Sequence, residues 1–204
     1  MGLYRKFVLP RLINLAMHNK ELRPFRERVI GAAEGRVLEI GAGSGLNLQF
    51  YGPGASEVMA LEPDPKLMAM ARHHAAEATC PVKFLEASAE EIPLEDQSID
   101  SVITTWTLCT IPDAGRALRE MRRVLKPVGR LLFVEHGFAP EPGVQKWQDR
   151  LTPIWKRIGG GCHLNRPISA LIERAGFRID RLDTGYIHGP KPMTFMYEGA
   201  ARPC

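Results

Sequence analysis

Long hydrophobic runs are missing from this chain of 204 residues. No stretch approaches the roughly twenty apolar residues that a membrane-spanning helix needs, so the sequence predicts no such helix. Near the N-terminus, basic residues flank an apolar stretch that Pro10 interrupts, which matches a secretory signal peptide poorly. We therefore expect a cytoplasmic protein.

Cysteine is scarce as well. Cys80, Cys109, Cys162 and Cys204 form no Cys-x-x-Cys pair and no zinc-like grouping, so we expect neither disulfides nor a metal. A concentrated basic segment is also missing. The formal net charge is +4, but the Lys and Arg residues are spread along the chain, usually beside Asp or Glu. Such dispersed charge is typical of a solvated surface, and we expect no binding to nucleic acid.

A glycine-rich stretch carries the strongest pattern in the chain. Residues 37–40 form a short apolar run typical of a buried parallel strand, and Gly41, Gly43 and Gly45 follow at once. Strand, glycine turn and helix are the layout of a nucleotide-binding half-fold, in which a ligand can lie against the bare backbone. A dinucleotide fingerprint would place its third glycine where this chain has Leu46, which argues against an NAD-binding oxidoreductase.

Two carboxylates accompany this turn. Glu39 lies inside the strand just before the glycines, and Glu62 ends the next apolar run. An acid about twenty residues beyond such a turn can accept hydrogen bonds from both ribose hydroxyls of a nucleotide. The two acids and the glycines together indicate a nucleotide-like ligand more specifically than the turn alone.

From about residue 36 to about residue 177, the chain resembles the class I S-adenosylmethionine (SAM) methyltransferases. This resemblance is carried by segments 36–48, 87–100, 118–129 and 132–136. Within that family the chain is most similar to the small thiol methyltransferase (methyltransferase-like) branch and its bacterial relatives. The closer match is carried by segments 49–51, 107–109, 135–136 and 155–166.

The resemblance implies a SAM site at the carboxyl ends of the strands. In the family's arrangement segment 41–45 holds the methionyl part, Glu62 the ribose, and residues 88–89 the adenine, while residues 105–106 lie beside the sulfonium. The predicted cofactor-binding residues are Glu39, Gly41, Ala42, Gly43, Gly45, Asn47, Glu62, Pro63, Ser88, Ala89, Thr105 and Trp106. The family usually has an acid where this chain has Ser88, so we expect a weaker contact with adenine from this neutral hydroxyl.

Methyl transfer also needs an aligned and deprotonated acceptor. The candidate catalytic bases are His136, after the predicted fifth strand, and His163, in the loop 159–166. Each could equally be a hydrogen-bonded structural histidine, just as Trp106 could be a core residue. Cys109 and Cys162 are expected to line the pocket or the core, because methyl transfer needs no covalent enzyme intermediate.

Strands that alternate with helical patterns predict an α/β, Rossmann-like fold with helices on both faces of a mostly parallel sheet. The link 189–192 is too short for a helical crossover, so the last two strands should pair antiparallel. The family arrangement implies seven strands, of which the last is antiparallel. Residues 35–204 are then the SAM-binding part of a single compact domain, and residues 1–34 are a helical cap.

Several local predictions complete this fold. We predict helices after the glycine turn, over residues 113–126 with Pro127 and Gly129 as the stop, and over residues 166–175 with Asn165 as the cap. Late strands are predicted over residues 177–182 and 192–197, followed by a frayed segment 199–204. In the cap, helical spacing is shown by Phe7, Val8, Leu12, Leu15 and Ala16. The cap is either a plain edge cover or a lid that selects an apolar substrate, and Arg5, Lys6 and Arg11 leave peripheral membrane contact as a third reading.

The sequence therefore predicts a SAM-dependent methyltransferase that acts on a small, apolar acceptor, with a thiol sulfur favoured. Methylation of a quinone carbon, a phenol oxygen or a lipid amine is the alternative within enzymes. An NAD-binding oxidoreductase and a non-catalytic SAM-binding protein are the alternatives of other classes. The oligomeric state has no signature in this sequence.

Overall fold

A computed structural model describes residues 8–204, so the parts predicted for Arg5, Lys6 and Phe7 lie outside the described residues. Seven strands and seven α-helices make up this part of the chain. The strands are β1 (Gly35–Ile40), β2 (Ala55–Leu61), β3 (Val82–Leu85), β4 (Ile99–Thr105), β5 (Leu125–His136), β6 (Phe177–Tyr186) and β7 (Phe195–Pro203). The helices are α1 (Leu9–Met17), α2 (Arg23–Gly31), α3 (Pro65–His74), α4 (Ala114–Val124), α5 (Pro142–Ile158), α6 (Ile168–Arg174) and α7 (Lys191–Thr194).

All seven strands join one sheet in the order β3-β2-β1-β4-β5-β7-β6. Strands β1 to β5 pair parallel to their neighbours, whereas β7 runs antiparallel to both β5 and β6. The strand order reverses between β1 and β4, which is where open α/β sheets bind their ligands. The predicted fold class, including the single antiparallel last strand, is confirmed.

Two buried clusters hold the helices against the sheet. On one face, α4 and α6 contribute Leu118, Met121 and Ile172 to the core that contains Leu38 and Ile40 of β1. On the other face, α2 contributes residues that pack under β1, β2 and β5; this second cluster includes Val29, Ile30, Val37, Val58 and Val134. Because both faces of the sheet are covered, the central strands β1 and β4 are buried along most of their length rather than at alternate residues.

The helix predicted after the glycine turn is wrong. Only a short 3-10 helix, Leu48–Phe50, follows the turn before the chain reaches β2. Tyr51 is buried there and donates a hydrogen bond to Glu39 Oε2 at 2.9 Å, which draws the chain back under β1. The few residues between this turn and Gly52 are too short a segment for a stable α-helix.

The predicted stop of the fourth helix also needs correction. Helix α4 begins after Asp113, whose side chain caps it, but the helix ends at Val124, and β5 begins directly at Leu125. Leu125 pairs with Ile99 and the register then shifts, so the segment 126–129 forms an irregularity in the strand instead of the end of a helix.

Three predictions near the C-terminus were wrong. Asn165 donates to Asp149 Oδ1 at 2.8 Å and does not cap α6, which begins at Ile168. Residues 192–194 belong to α7, so β7 starts only at Phe195. The segment 199–203, predicted to fray, is strand: residues 199–201 pair with both β5 and β6, residues 202–203 pair with β6, and Ala201 is fully buried.

The helical character of the N-terminal segment is confirmed for the described residues by α1 and α2. Within residues 8–204, no helix has the length and apolar character that crossing a membrane requires. Helix α1 leaves Leu12 and Leu15 partly exposed, at 47% and 71%. It lies across the carboxyl edge of the sheet, because Leu9, Leu12 and Ile13 line one cavity together with residues at the ends of β1, β2 and β4.

Candidate functional site

A cavity of about 620 Å³ opens at the carboxyl ends of β1, β2, β4 and β5. The glycine turn and Glu62 form one side, and the ends of β4 and β5 form the other. Helix α1 and the end of α5 cover it with apolar side chains, among them Leu9, Leu12, Ile13 and Trp155. This volume lies within the roughly 300–1,000 Å³ range of small-molecule sites.

The three glycines of the turn all have positive φ, but for different physical reasons. A Cβ on Gly41 would collide with the Thr107 side chain, and one on Gly45 would lie 2.8 Å from Ala71 Cα in α3. A Cβ on Gly43 would meet nothing closer than Gly41 O at 3.9 Å. Gly41 and Gly45 therefore permit close packing, whereas Gly43 leaves an open backbone cradle of the kind that the methionyl part of SAM requires.

Glu62 follows β2 and lies in the cavity wall, where it is 6% exposed. Its two carboxylate oxygens accept hydrogen bonds from Gly43 N at 3.0 Å and from Asp64 N at 2.9 Å. Burial raises the pKa of this carboxyl, and the two backbone donors oppose that rise. Each oxygen keeps a further lone pair, so the geometry fits the predicted ribose contact.

Glu39 is buried behind the turn, outside the cavity wall that the described residues form. It accepts hydrogen bonds from Asn47 Nδ2 at 2.7 Å and from Tyr51 OH at 2.9 Å, and Asn47 Oδ1 accepts from Arg26 Nε at 2.9 Å. Burial raises the pKa of Glu39 to about 7, although these two hydrogen bonds oppose it. Asn47 Nδ2 also lies 3.0 Å from Thr105 Oγ1, so this network fixes the turn against β4.

Trp106 closes β4 with φ of +50°, which is rare for a large side chain and marks local backbone strain. Its ring packs edge-on against Phe25 at 6.4 Å, and the Arg26 guanidinium lies 5.0 Å from the ring centre. Trp106 and Thr105 both line the cavity. The Trp106 ring therefore both packs against α2 and forms part of the cavity wall.

The residues predicted for the adenine end lie apart from the rest. Ser88 and Pro63 are exposed, and Ala89 is buried in the core. Ser88 Oγ donates to Glu90 Oε2 at 3.2 Å. Among the described residues, the cavity wall contains seven of the twelve predicted residues, namely Gly41, Ala42, Gly43, Asn47, Glu62, Thr105 and Trp106. The other five, Glu39, Gly45, Pro63, Ser88 and Ala89, lie outside it.

The two candidate bases occupy different places. His136 ends β5, lines the cavity and is buried, with Nε2 at 3.2 Å from Cys162 Sγ. Among the described residues, His163 is not part of that wall; its Nδ1 lies 3.0 Å from Cys109 O and 3.2 Å from Arg166 Nη2. Burial lowers the pKa of His163. The structure therefore brings only His136, of these two, to the cavity formed by residues 8–204.

Cys109 and Cys162 line the same end of the cavity. The hydrogen bond from the Cys109 thiol lowers the pKa of Cys162 below its usual range, and the hydrogen bond from His136 adds to this effect. Burial opposes the charged form of His136, but its hydrogen bond to Cys162 and the negative charges nearby raise its pKa overall. The sequence predicted that these cysteines lie in the wall but gave no indication that they meet His136.

Glu135 fixes the junction of β4 and β5 beside this cluster. It is fully buried, and its Oε1 accepts from Thr104 Oγ1 at 2.6 Å and from Thr107 N at 3.1 Å. Burial raises its pKa to about 7. Glu135 therefore positions the loop that carries Cys109, and sequence analysis assigned it no such role.

Comparison with known proteins agrees with this geometry. The family model described as "Methyltransferase domain" matches residues 38–133. Human thiol S-methyltransferase TMT1B is 37% identical over 186 residues, which cover 85% of this chain and 74% of the human protein. The chain belongs to the methyltransferase family. The SAM cofactor that the resemblance implied is confirmed by this membership.

Other relatives of this methyltransferase are similar over a smaller share of their length. The rat thiol S-methyltransferase TMT1B is 42% identical over 157 residues, which are 72% of this chain and 62% of the rat protein. The demethylmenaquinone methyltransferase of Thermus thermophilus is 33% identical over 138 residues, which are 66% and 61% of the two chains. The chain thus spans a little under two thirds of the length of these two relatives.

The fold of the methyltransferase is shared by solved structures. The crystal structure of the YcgJ protein from Bacillus subtilis has a TM-score of 0.66 and 21% identity, and the match covers 91% of this chain and 96% of that one. A putative methyltransferase from Bacillus halodurans has a TM-score of 0.69 with 16% identity, covering 88% and 95%. At such identities the likeness concerns the fold.

Proposed function

We propose that this methyltransferase transfers the methyl group of SAM to the sulfur of a small, apolar thiol. One observation carries the proposal: a single cavity joins Gly43 and Glu62 at one side to Cys109, His136 and Cys162 at the other. The relatives named thiol S-methyltransferases support a sulfur acceptor. Quinone carbon, phenol oxygen and lipid amine remain the alternatives that the acceptor screen described below compares.

The residues of the cavity would divide the work. The open backbone at Gly43 and the carboxylate of Glu62 would bind the cofactor, and Thr105 with Trp106 would set the position of its sulfonium. SAM supplies a methyl group that is already activated by the positive sulfur. The protein must therefore mainly align the acceptor and exclude water, which can lower the barrier by roughly 7–11 kcal/mol.

The acceptor must react at this site as a thiolate. A thiol with a pKa of about 8.5 needs less help to lose its proton than an alcohol does. In the displacement the thiolate lone pair forms the new carbon–sulfur bond, the sulfonium–methyl bond breaks, and its electrons stay on the cofactor sulfur. The products are a methyl thioether and S-adenosylhomocysteine. The base roles predicted for His136 and His163 stay predictions.

Helix α1 would choose the acceptor by its apolar face. Leu9, Leu12, Ile13, Ala16 and Met17 all line the cavity, and burying an apolar acceptor against them is favourable in proportion to the area removed from water. We extend the lid proposal for residues 1–34 on this basis, with residues 35–204 as the part that binds the cofactor. A small-molecule acceptor, a cytoplasmic location and no nucleic-acid partner belong to the same proposal.

An acceptor screen with labelled SAM tests this function. Small apolar thiols, phenols, hydroquinones and amines would be supplied at equal concentration, with Glu62→Ala as the control for cofactor-dependent transfer. We expect label in the thioether products alone. Label in a phenol ether, a methylated quinone or an amine, with none in thioethers, would replace the proposed acceptor class; SAM binding without transfer to any class would favour a non-catalytic protein.

A further inference from the structure

Three potential metal ligands converge at the inner end of the cavity. Cys109 comes from the loop after β4, His136 from the end of β5, and Cys162 from the loop after α5. Their ligand atoms all lie within 4.8 Å of one another, and the three residues are buried. His136 Nε2 and Cys162 Sγ are 3.2 Å apart. Segments remote in sequence thus deliver two sulfurs and one imidazole to one point.

This cluster is held in place before any ligand arrives. His163 N donates to Cys109 O at 2.8 Å, and the Arg166 guanidinium donates to the carbonyl oxygens of Leu108 and Ile111 on either side of that loop. Cys109 and Cys162 also pack in a small apolar cluster with Leu164. The backbone around the cluster is therefore fixed, as a metal site of defined geometry requires.

The donor set fits zinc. Two cysteine sulfurs and one histidine nitrogen are ligands that Zn²⁺ takes at about 2.3 and 2.0–2.1 Å, so neighbouring donors around a tetrahedral ion stand roughly 3.6–3.8 Å apart. Donors already within 4.8 Å need only small side-chain movements to reach this arrangement. Two thiolates and a neutral imidazole also balance the two positive charges, so the buried site would carry no net charge.

The position of the cluster indicates an open site. Catalytic zinc sites have three protein ligands and leave the fourth position for water or substrate. Here the three ligands all belong to the cavity wall that also contains Gly43 and Glu62. The fourth position would therefore face the cavity rather than the core.

The alternative role for His136, a free base, fits less well. Its Nε2 is already engaged with Cys162 Sγ, and within the described part of the chain its buried Nδ1 has no hydrogen-bond partner. An incoming thiol would have to compete with Cys162 for the same nitrogen. A ligand role uses that nitrogen and both cysteines at once.

We propose that Cys109, His136 and Cys162 bind a zinc ion whose open position receives the acceptor sulfur. Its acceptor role depends on the proposed thiol methylation, whereas metal binding itself does not. The acceptor thiol would release its proton to water on binding and remain as the thiolate that attacks the methyl carbon. This proposal replaces the expectation of no metal, and it makes His136 a ligand in place of a base.

The first test measures metal directly. The full chain would be purified without chelator and its zinc content measured, and the zinc would then be exchanged for Co²⁺. We expect one zinc per chain and, with Co²⁺, the intense absorption of a tetrahedral thiolate-ligated ion. Cys109→Ser and Cys162→Ser should each weaken zinc binding by well over tenfold, since loss of even an outer-shell partner costs about 10–100-fold.

Cys80→Ser and Cys204→Ser are the matched controls, because both cysteines lie outside the cluster and are free. They should keep full zinc content. Thermal melting of every variant would show which are folded, and the Co²⁺ spectrum of the unmutated chain needs no variant at all. The site would be overturned if the chain bound no Zn²⁺ and gave no thiolate-to-cobalt absorption with Co²⁺. A Cys109–Cys162 disulfide that persists after purification under reducing conditions would overturn it as well.

A second measurement separates the site from the function. Ethanethiol added to the Co²⁺ protein should increase the thiolate-to-cobalt absorption, because a third sulfur joins the ion. An unchanged spectrum at saturating thiol would overturn the acceptor role. If zinc-free protein methylates thiols at the full rate, the acceptor role of the zinc fails and the proposed function stands. If the spectrum responds to thiol but no thiol is methylated, the metal site stands and the proposed function fails.

Discussion

The two sides of the cavity are built in contrasting ways. The cofactor side comes from two consecutive strands, β1 and β2, which pair with each other. Gly43 follows the first strand and Glu62 the second, and a hydrogen bond of 3.0 Å joins them. The acceptor side is assembled from three segments, and His136 and Cys162, whose Nε2 and Sγ atoms lie 3.2 Å apart, are separated by 26 residues in sequence. The first side can be identified from a short sequence motif, whereas the second exists only in the folded chain.

The glycine turn gives the sharpest comparison within the cofactor side. Gly45→Ala would press a Cβ against the Ala71 backbone at positive φ, and overpacking together with backbone strain should destabilise the fold by roughly 2–5 kcal/mol. In Gly43→Ala the new Cβ has open space around it, and only the backbone at positive φ is strained. The free energy of unfolding should therefore fall by only about 1–2 kcal/mol, while SAM binding weakens. Denaturant unfolding and calorimetry measure the two effects; equal stability losses would contradict the distinction.

Glu39 tests whether the network behind the turn is structural. Its folded pKa of about 7 lies above its ordinary value of 4.5, so its contribution to stability is full below pH 4.5 and is lost as the pH rises through 7. The associated loss is about 3 kcal/mol. Glu39→Gln should reduce this loss of stability with rising pH. The similar loss that arises from Glu135, whose pKa burial also raises to about 7, should remain.

Unfolding free energies from pH 4.5 to 8 would measure this change. Glu57→Gln is the control, because hydrogen bonds from Lys83 and Arg36 lower the pKa of Glu57 instead, and its effect should fall at lower pH. If the unfolding free energy of the Glu39→Gln variant fell with pH as steeply as that of the unmutated chain, Glu39 would not be the buried titrating group.

Glu62 tests the ribose contact. Glu62→Ala should weaken SAM binding by roughly tenfold to a hundredfold, because two charge-assisted hydrogen bonds are lost. Glu62→Gln, which keeps one acceptor oxygen, should lie between. Glu57→Ala, in the strand β2 that precedes Glu62, is the matched control, since the Glu57 carboxylate pairs with Arg36 and Lys83. If titration calorimetry showed the same SAM affinity for Glu62→Ala as for the unmutated chain, the predicted contact between Glu62 and the ribose would be wrong.

The smallest effect is expected from substitutions on the apolar face of helix α1 that lines the cavity. Leu12 lines the cavity, while Leu15 on the same helix is 71% exposed and lies outside the wall formed by the described residues. Leu12→Ala should raise the KM for an apolar thiol several-fold, since each buried methylene is worth about 0.8 kcal/mol. Leu15→Ala should leave that KM unchanged. Equal effects of the two substitutions would argue against α1 as the acceptor-binding surface.

The sequence alone could bring the residues of the cofactor side together, because they are placed by local geometry. A glycine turn after a buried strand, and an acid after the next strand, meet in any parallel sheet of this order. Asp64 at the start of α3 was likewise predictable, and it accepts from Lys66 N at 2.8 Å. The strand pairing of β6 and β7 followed from the short link between them.

The acceptor side could be predicted only in part. Adjacent parallel strands β4 and β5 end at one edge of the sheet, so the meeting of Cys109 and His136 could have been anticipated from strand order. Cys162 could not, because it comes from a loop placed by the packing of α5, which follows no local rule. The helix expected after the glycine turn failed for a similar reason, since the tertiary hydrogen bond of Tyr51 to Glu39 overrides the apolar pattern.

A crystal structure with S-adenosylhomocysteine tests the central claim most directly, namely that one cavity presents the cofactor sulfur to the cluster of Cys109, His136 and Cys162. We predict that the ribose hydroxyls lie on Glu62, that the amino-acid part lies along Gly43, and that the sulfur faces the cluster across the cavity. Side chains filling that space, or a ligand bound with its sulfur directed away from the cluster, would contradict the account.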